Sequence, residues 1–420
     1  MKEIVRLDAN LTIISVFLLT FLLQTNAFGQ GLKEVSLSGQ IRSRSEYSGK
    51  DFNSDRDNIT FHLLRTRLNV AARPAEDLRT FVQIQDSRVF GSETNTLSDG
   101  SADAIDVHQA YFQVDNFFDS ELTVRLGRQE INVGNQRLVG AVGWDNIGRS
   151  FDGLRMFYDL EGGSLQFFAA RLVGSSGVAE GKNLYGAEGT FPLSDGHKLS
   201  VLALLDNDTA EIETGPSEGE HRLSRYTVGA TANGASRNFD YELEAFFQGG
   251  NQERGANERA SIRGSLLSAK AGLLVSEEKN IRIGGLVTLV SGDKDAADNE
   301  RRAFNTLFAT NHRFYGFMDY FVSFGSPAGI GLRDYSLSLA LNPSEALRVK
   351  VDIHQFMADQ VPAGADDEFG QEVDVTGVFK YNEAFSFTIG ASAFTPGDLM
   401  KSSRGDDTAF WAYLMTVVNL

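Results

Sequence analysis

The 420-residue chain has no cysteine. That excludes a disulfide framework, a thiol nucleophile, Cys-ligated zinc and the acceptor thiol of a lipoprotein anchor. Proline is scarce at 7 residues, so little interrupts extended backbone. After Leu23 no run approaches the roughly 18 to 20 apolar residues that a membrane-crossing helix needs. The earlier run, Leu11 to Leu23, follows Lys2 and Arg6 and precedes Ala27 and Gly29, the order of a secretory signal peptide over residues 1–29. There is no Walker loop, no Rossmann fingerprint and no HExxH pair among the 6 histidines. A net charge of −17 excludes a general nucleic-acid binder, whose surface should be basic.

What the chain does have is a two-residue rhythm. In Val35 to Tyr47, Val35, Leu37 and Ile41 fall on one strand face, while Gln40, Arg42, Arg44 and Glu46 fall on the other. Phe239, Tyr241, Leu243, Ala245 and Phe247 likewise alternate with Asp240, Glu242, Glu244 and Gln248. Tight connections such as Pro74 to Asp77, Glu161 to Gly163 and Tyr381 to Ala384 alternate with long ones. The long ones include Gly91 to Ala104, Gln129 to Arg149, Asn207 to Arg222, Gly249 to Arg263, Gly292 to Gly331 and Thr395 to Asp407. Nine long and eight short connections predict an all-β fold over residues 30–420. It is a single up-and-down antiparallel transmembrane β-barrel of about 18 strands, with short periplasmic turns, long external loops and no separate plug domain. Tyr47, Tyr185, Phe191, Tyr226, Phe239 and Tyr381 fall near strand ends, where interfacial girdles form.

A barrel of this size encloses a wet lumen, and the alternation indicates what lines it. Arg42, Arg44, Arg65, Arg67, Arg125, Arg155, Arg282, Arg348 and Lys350 count as inward, with Arg128, Arg137 and Arg149 on or beside the Gln129 to Arg149 loop. A guanidinium grips a carboxylate through two parallel hydrogen bonds, and several such sites in series select anions while letting a chain move on. The plainer reading is that these arginines pair with wall carboxylates and stiffen the barrel. The aromatic stretch Phe304 to Asp319 either folds inward as a constriction or forms a mobile external loop. Asp293, Asp295, Asp298 and Glu300 offer hard oxygen ligands for Ca²⁺, but without the EF-hand glycine and register, so a solvated acidic loop is the plainer account. No other cofactor is expected.

One segment is far more distinctive than any alternation. It reads Arg125-Leu-Gly-Arg128-Gln-Glu-Ile-Asn-Val-Gly-Asn-Gln-Arg137-Leu-Val-Gly-Ala-Val-Gly-Trp144-Asp-Asn-Ile-Gly-Arg149-Ser-Phe-Asp152-Gly-Leu-Arg155. It resembles the alginate export family of outer-membrane porins. Leu64-Arg-Thr-Arg-Leu, Asp106-Val-His-Gln-Ala-Tyr-Phe, Phe304-Asn-Thr-Leu-Phe, Tyr315-Gly-Phe-Met-Asp319 and Phe394-Thr-Pro-Gly-Asp398 extend the resemblance along the mature chain in order. It implies a monomeric 18-stranded barrel in a Gram-negative-type outer membrane, in contact with lipid, whose arginine-rich lumen passes an acidic polysaccharide delivered by periplasmic export partners. Two alternatives stand beside it. One is a general porin for small anions or sugars. The other is an outer-membrane hydrolase, for which the chain offers no Gly-x-Ser-x-Gly elbow.

Overall fold

In the computed structural model, β1 (Glu34–Gly49), β2 (Ile59–Arg73) and β3 (Leu78–Val89) begin an antiparallel meander that β4 (Ile105–Val114), β5 (Leu122–Gln129) and β6 (Phe151–Leu160) continue. Next come β7 (Gly163–Gly174), β8 (Gly181–Ser194), β9 (His197–Asp208), β10 (Leu223–Ala235), β11 (Phe239–Glu253) and β12 (Arg259–Ser276). The series ends with β13 (Ile281–Val290), β14 (Leu332–Leu341), β15 (Leu347–Met357), β16 (Glu368–Lys380), β17 (Phe385–Pro396) and β18 (Ala409–Asn419). Strand β18 pairs back onto β1, from Gln40↔Asn419 to Gly49↔Phe410, so the sheet closes without an edge. The residues described are 34–91, 105–174, 181–208, 211–212, 219–220, 222–253, 259–295, 298–322 and 329–420. The expected signal peptide over 1–29 and most of the Gly91 to Ala104 connection lie outside them.

The alternation sets the facing. On β1, Val35, Leu37, Ile41 and Tyr47 are exposed on the outer wall while Arg42, Arg44 and Glu46 are buried on the inner one. On β11, Phe239, Leu243 and Phe247 are outward, with Glu244, Phe246 and Gln248 buried inward. Tyr47, Tyr185 and Tyr226 are exposed at the long-loop ends of their strands, and Phe239 and Tyr381 at the short-turn ends. One expected loop is much shorter than predicted. The span Gly249 to Arg263 is mostly strand, because Gly250 at φ +127° lets β11 run on to Glu253 and Gly249 leaves room for the Tyr226 ring.

The long-loop half of the barrel is not an open pipe. Among the described residues two connections fold into it: the loop between β5 and β6, and the one between β13 and β14. They meet through the Val139↔Phe308 bridge and the hydrogen bond from Gly140 N–H to the Phe308 carbonyl. Their apolar side chains, including Ile131, Val139, Phe304, Tyr315 and Met318, are buried against inward wall residues such as Phe151, Leu184, Leu266, Phe356 and Trp411. This gives the barrel an internal core of the kind that soluble proteins have, covering only part of the lumen. The helix α1 (Asp398–Arg404) packs on the β16 and β17 ends of the rim. The Phe304 to Asp319 stretch therefore folds inward, the placement that the first of the two alternatives expects.

Candidate permeation site

Strands β1 and β2 place Arg42 opposite Arg65 in register, with Arg44 and Arg67 one inward step away. Four guanidiniums that close need compensation. Arg44 pairs with Glu46 at 2.6 Å, and Arg67 with Glu130 at 3.2 Å. Burial alone would raise the Glu130 carboxyl. The hydrogen bond from His108 at 2.9 Å and the charge of Arg67 outweigh it and hold Glu130 below the ordinary carboxylate range.

The other guanidinium hydrogens go to backbone. Arg42 donates to the carbonyls of Gly143 (2.6 Å) and Asp145 (2.8 Å), and Arg65 to the same two at 3.3 Å. Arg44 donates to the Trp144 carbonyl at 2.5 Å and lies 3.8 Å over the Trp144 ring. The other face of that indole stacks on His312 of the second inward loop, centroids 4.2 Å apart. These four expected ladder residues thus grip a loop. In the same loop Arg137 is buried against Glu244 (3.0 and 2.7 Å), and Arg149 donates to the carbonyls of Gly140, Phe308 and Ala309. Arg137 and Arg149 hold the loop's shape and its contact with the second loop, which is the plainer of the two sequence readings for them.

Arg128 does not face the lumen. It shares its strand face with exposed Leu126 and forms a bidentate pair, 2.8 and 2.9 Å, with Asp152 on the outer wall. It stands three positions along the strand from inward Arg125, an odd step that reverses the facing. The acidic run is also engaged: Asp293 pairs with Arg301, Glu300 with Arg302 and Arg263, and Asp298 with Arg302. Among the described residues no group of three or more His, Asp or Glu side chains is arranged to hold a metal ion.

The short-turn half differs. Arg125 and Arg155 stand directly opposite each other on β5 and β6. Neither pairs with a carboxylate among the described residues. Arg125 donates to the Gln113 amide oxygen (2.9 and 2.7 Å), and Arg155 to that of Gln166 (2.7 Å), with its Nε buried and without a partner among the described residues. Across the lumen a cavity of about 550 Å³ is lined by Lys270, Arg282, Arg348 and Lys350, and roofed by Arg313, Phe314 and Phe317 of the second loop. Arg282 pairs with Asp240 and Lys350 with Asp352, whereas Lys270 and Arg348 make no ion pair among the described residues. Lys270 and Lys198 were missed in the sequence although the same alternation marks them, between Ala269 and Ala271 and between His197 and Leu199.

A family profile described as alginate export matches residues 33–412. No curated protein matches the chain. Among solved structures, the outer membrane protein OprD from Pseudomonas aeruginosa superposes with a TM-score of 0.62 at 12% identity, covering 93% of this chain and 95% of its own. A BenF-like porin from Pseudomonas fluorescens Pf-5 gives 0.61 at 9% identity, covering 93% and 100%. OccAB4 of Acinetobacter baumannii gives 0.60 at 9%, covering 93% and 98%. At these identities the likeness is one of fold.

Proposed function

The chain belongs to the alginate export family, and from that premise we propose that this outer-membrane channel is anion-selective and passes uronate-bearing glycan chains along the basic wall of its short-turn half. The observation that carries the reading is the register pair Arg125 and Arg155, two like charges face to face with amide partners instead of carboxylates. Like charges directly opposite one another destabilise a sheet, and a guanidinium with spare donors in a low-dielectric wall is a strong carboxylate site. Lys198, Lys270 and Arg348 extend the same surplus around the wall. In this reading residues 1–29 direct export, the short-turn side is periplasmic, the protein works as a monomer, and periplasmic partners supply the polymer.

A second reading, a porin for small anions, is favoured by the two inward loops, which narrow the long-loop half. One experiment addresses both. In planar bilayers the refolded channel should show an anion-selective reversal potential in a salt gradient. Polyuronate should block it and neutral oligosaccharide should not. Lys270→Gln with Arg348→Gln should lower both the selectivity and the block. An unselective pore indifferent to polyuronate would sink the proposal, and anion selectivity without polyuronate block would favour the small-anion porin.

A further inference from the structure

Residues 142–148 form a flap on a pinned base, closed by the hydrogen bond from Arg149 N–H to the Ala141 carbonyl at 2.8 Å. One face of the flap lies on the β1–β3 wall, and Gly143, Asp145 and Ile147 are exposed to the remaining lumen. The wall beneath it is not charge-balanced. Glu46 and Glu130 answer Arg44 and Arg67, but Arg42 and Arg65 make no ion pair among the described residues, and the charges of Asp145 and Glu130 reach them only from beyond contact distance. Among the described residues their buried Nε groups make no hydrogen bond and their Nη groups meet only neutral oxygens, chiefly the Gly143 and Asp145 carbonyls. A carboxylate on a guanidinium makes charge-assisted bonds about twice as strong as neutral ones.

We propose that the flap's carbonyl row is a built-in stand-in for substrate: it occupies a carboxylate-binding row at Arg42 and Arg65, and uronate carboxylates displace it and widen the pore. This rests on the acidic-glycan reading above and adds how the constriction admits a polymer. The flap has the features of a displaceable element. Val142, a β-branched residue, is held at φ +51°, a conformation that stores strain. A side chain at Gly143 would meet nothing within 4 Å, so the backbone there has room to turn. Trp144, wedged between Arg44 and His312, is the pivot, and residues 145–148 are the arm.

The test exploits the absence of native cysteine. Ser87 Oγ donates to the Asn146 carbonyl at 2.9 Å, and the Asn146 side-chain amide donates to the carbonyl of the adjacent Arg88 at 3.1 Å, so both side chains lie at one wall contact and Ser87→Cys with Asn146→Cys is the pair chosen to lock the arm to the wall by a disulfide. Bilayer recordings are made on the oxidised and reduced protein with polygalacturonate as the probe. Reduced channels should be blocked as in the wild type. Oxidised channels should keep anion selectivity in salt but require at least tenfold more polyuronate for block. Equal block in both states overturns the flap proposal alone. No block in either state, nor in the wild type, overturns the acidic-glycan reading and the flap with it. A second variant guards against a poorly folding disulfide mutant. Arg42→Gln with Arg65→Gln removes the clamp, so conductance in plain salt should rise although two cations are lost, and a fall would overturn the proposal.

Discussion

At the scale of single residues, the arginines of this barrel divide by partner. Arg137 and Glu244 are both almost wholly buried, with side-chain exposures of 3% and 1%. Removing one charge of such a pair strands the other, at a cost of about 3–5 kcal/mol. Arg137→Met should lower the denaturant midpoint of the detergent-solubilised protein accordingly, while Arg137→Met with Glu244→Leu should recover much of the loss. A single variant as stable as the wild type would refute the account. Arg128 is the contrast: its pair with Asp152 lies on the outer wall with both side chains about half exposed, so removing one partner strands no buried charge. Period two was enough to separate Arg125 from Arg128 in the sequence, and grouping them by shared motif hid it. What no alternation reveals is that Arg42 and Arg65 meet carbonyls about 80 to 100 residues away in the chain.

At the scale of elements, the flap and the second inward loop meet through like charges as well as through stacked rings. Partial burial under the second loop raises the Asp145 carboxyl above its ordinary 3.8 although the residue keeps one side open to the lumen, with the Asp319 carboxylate as the second cause, against the opposing pull of Arg44, His312 and Arg149. Asp319 itself is shared by His312 at 2.7 Å and Lys50 at 3.8 Å. The sign follows from linkage: a docked flap whose carboxyl has a raised pKa holds more proton than a free one. Docking is therefore favoured in acid and weakens as pH rises above 3.8 through the raised value. Wild-type conductance should increase across that window, and Asp145→Asn should remove the Asp145 share of the increase and leave the flap more tightly docked near neutrality. Identical pH profiles for the two proteins would rule this out. The second loop's own tip is fixed by backbone. Met318 N–H donates to Glu372 at 2.8 Å, and Gly316, at φ +79°, passes so close to that carboxylate that a Cβ would sit 2.6 Å from its oxygens.

At the scale of the whole molecule, closure of β18 on β1 removes the sheet edge, and an outward apolar face meets lipid, so the wall is a rigid cylinder that strand pairing holds by itself. The inward loops are additions to that cylinder. Shortening the second loop by deleting 311–319 removes His312 from the Trp144 stack and Tyr315 and Met318 from the internal core, yet leaves every barrel strand intact. Single-channel conductance should rise severalfold while the protein still folds and inserts. Unchanged conductance would place the permeation path away from this loop.

The sequence by itself determined the wall. Alternation with period two, seven prolines that fall outside strand interiors wherever the structure describes them apart from Pro192 at an irregular stretch of β8, and the beat of short and long connections give strand number, facing and closure. These are local properties, each readable within a dozen residues. Tertiary structure decided what fills the wall and which cations are spoken for. Trp144 meets His312, Arg137 meets Glu244, and the Gly143 carbonyl meets Arg42, all across more than 100 residues of chain. Loops without a repeating period carry no register, so only the packing of their apolar side chains inside the barrel fixes where their polar groups land.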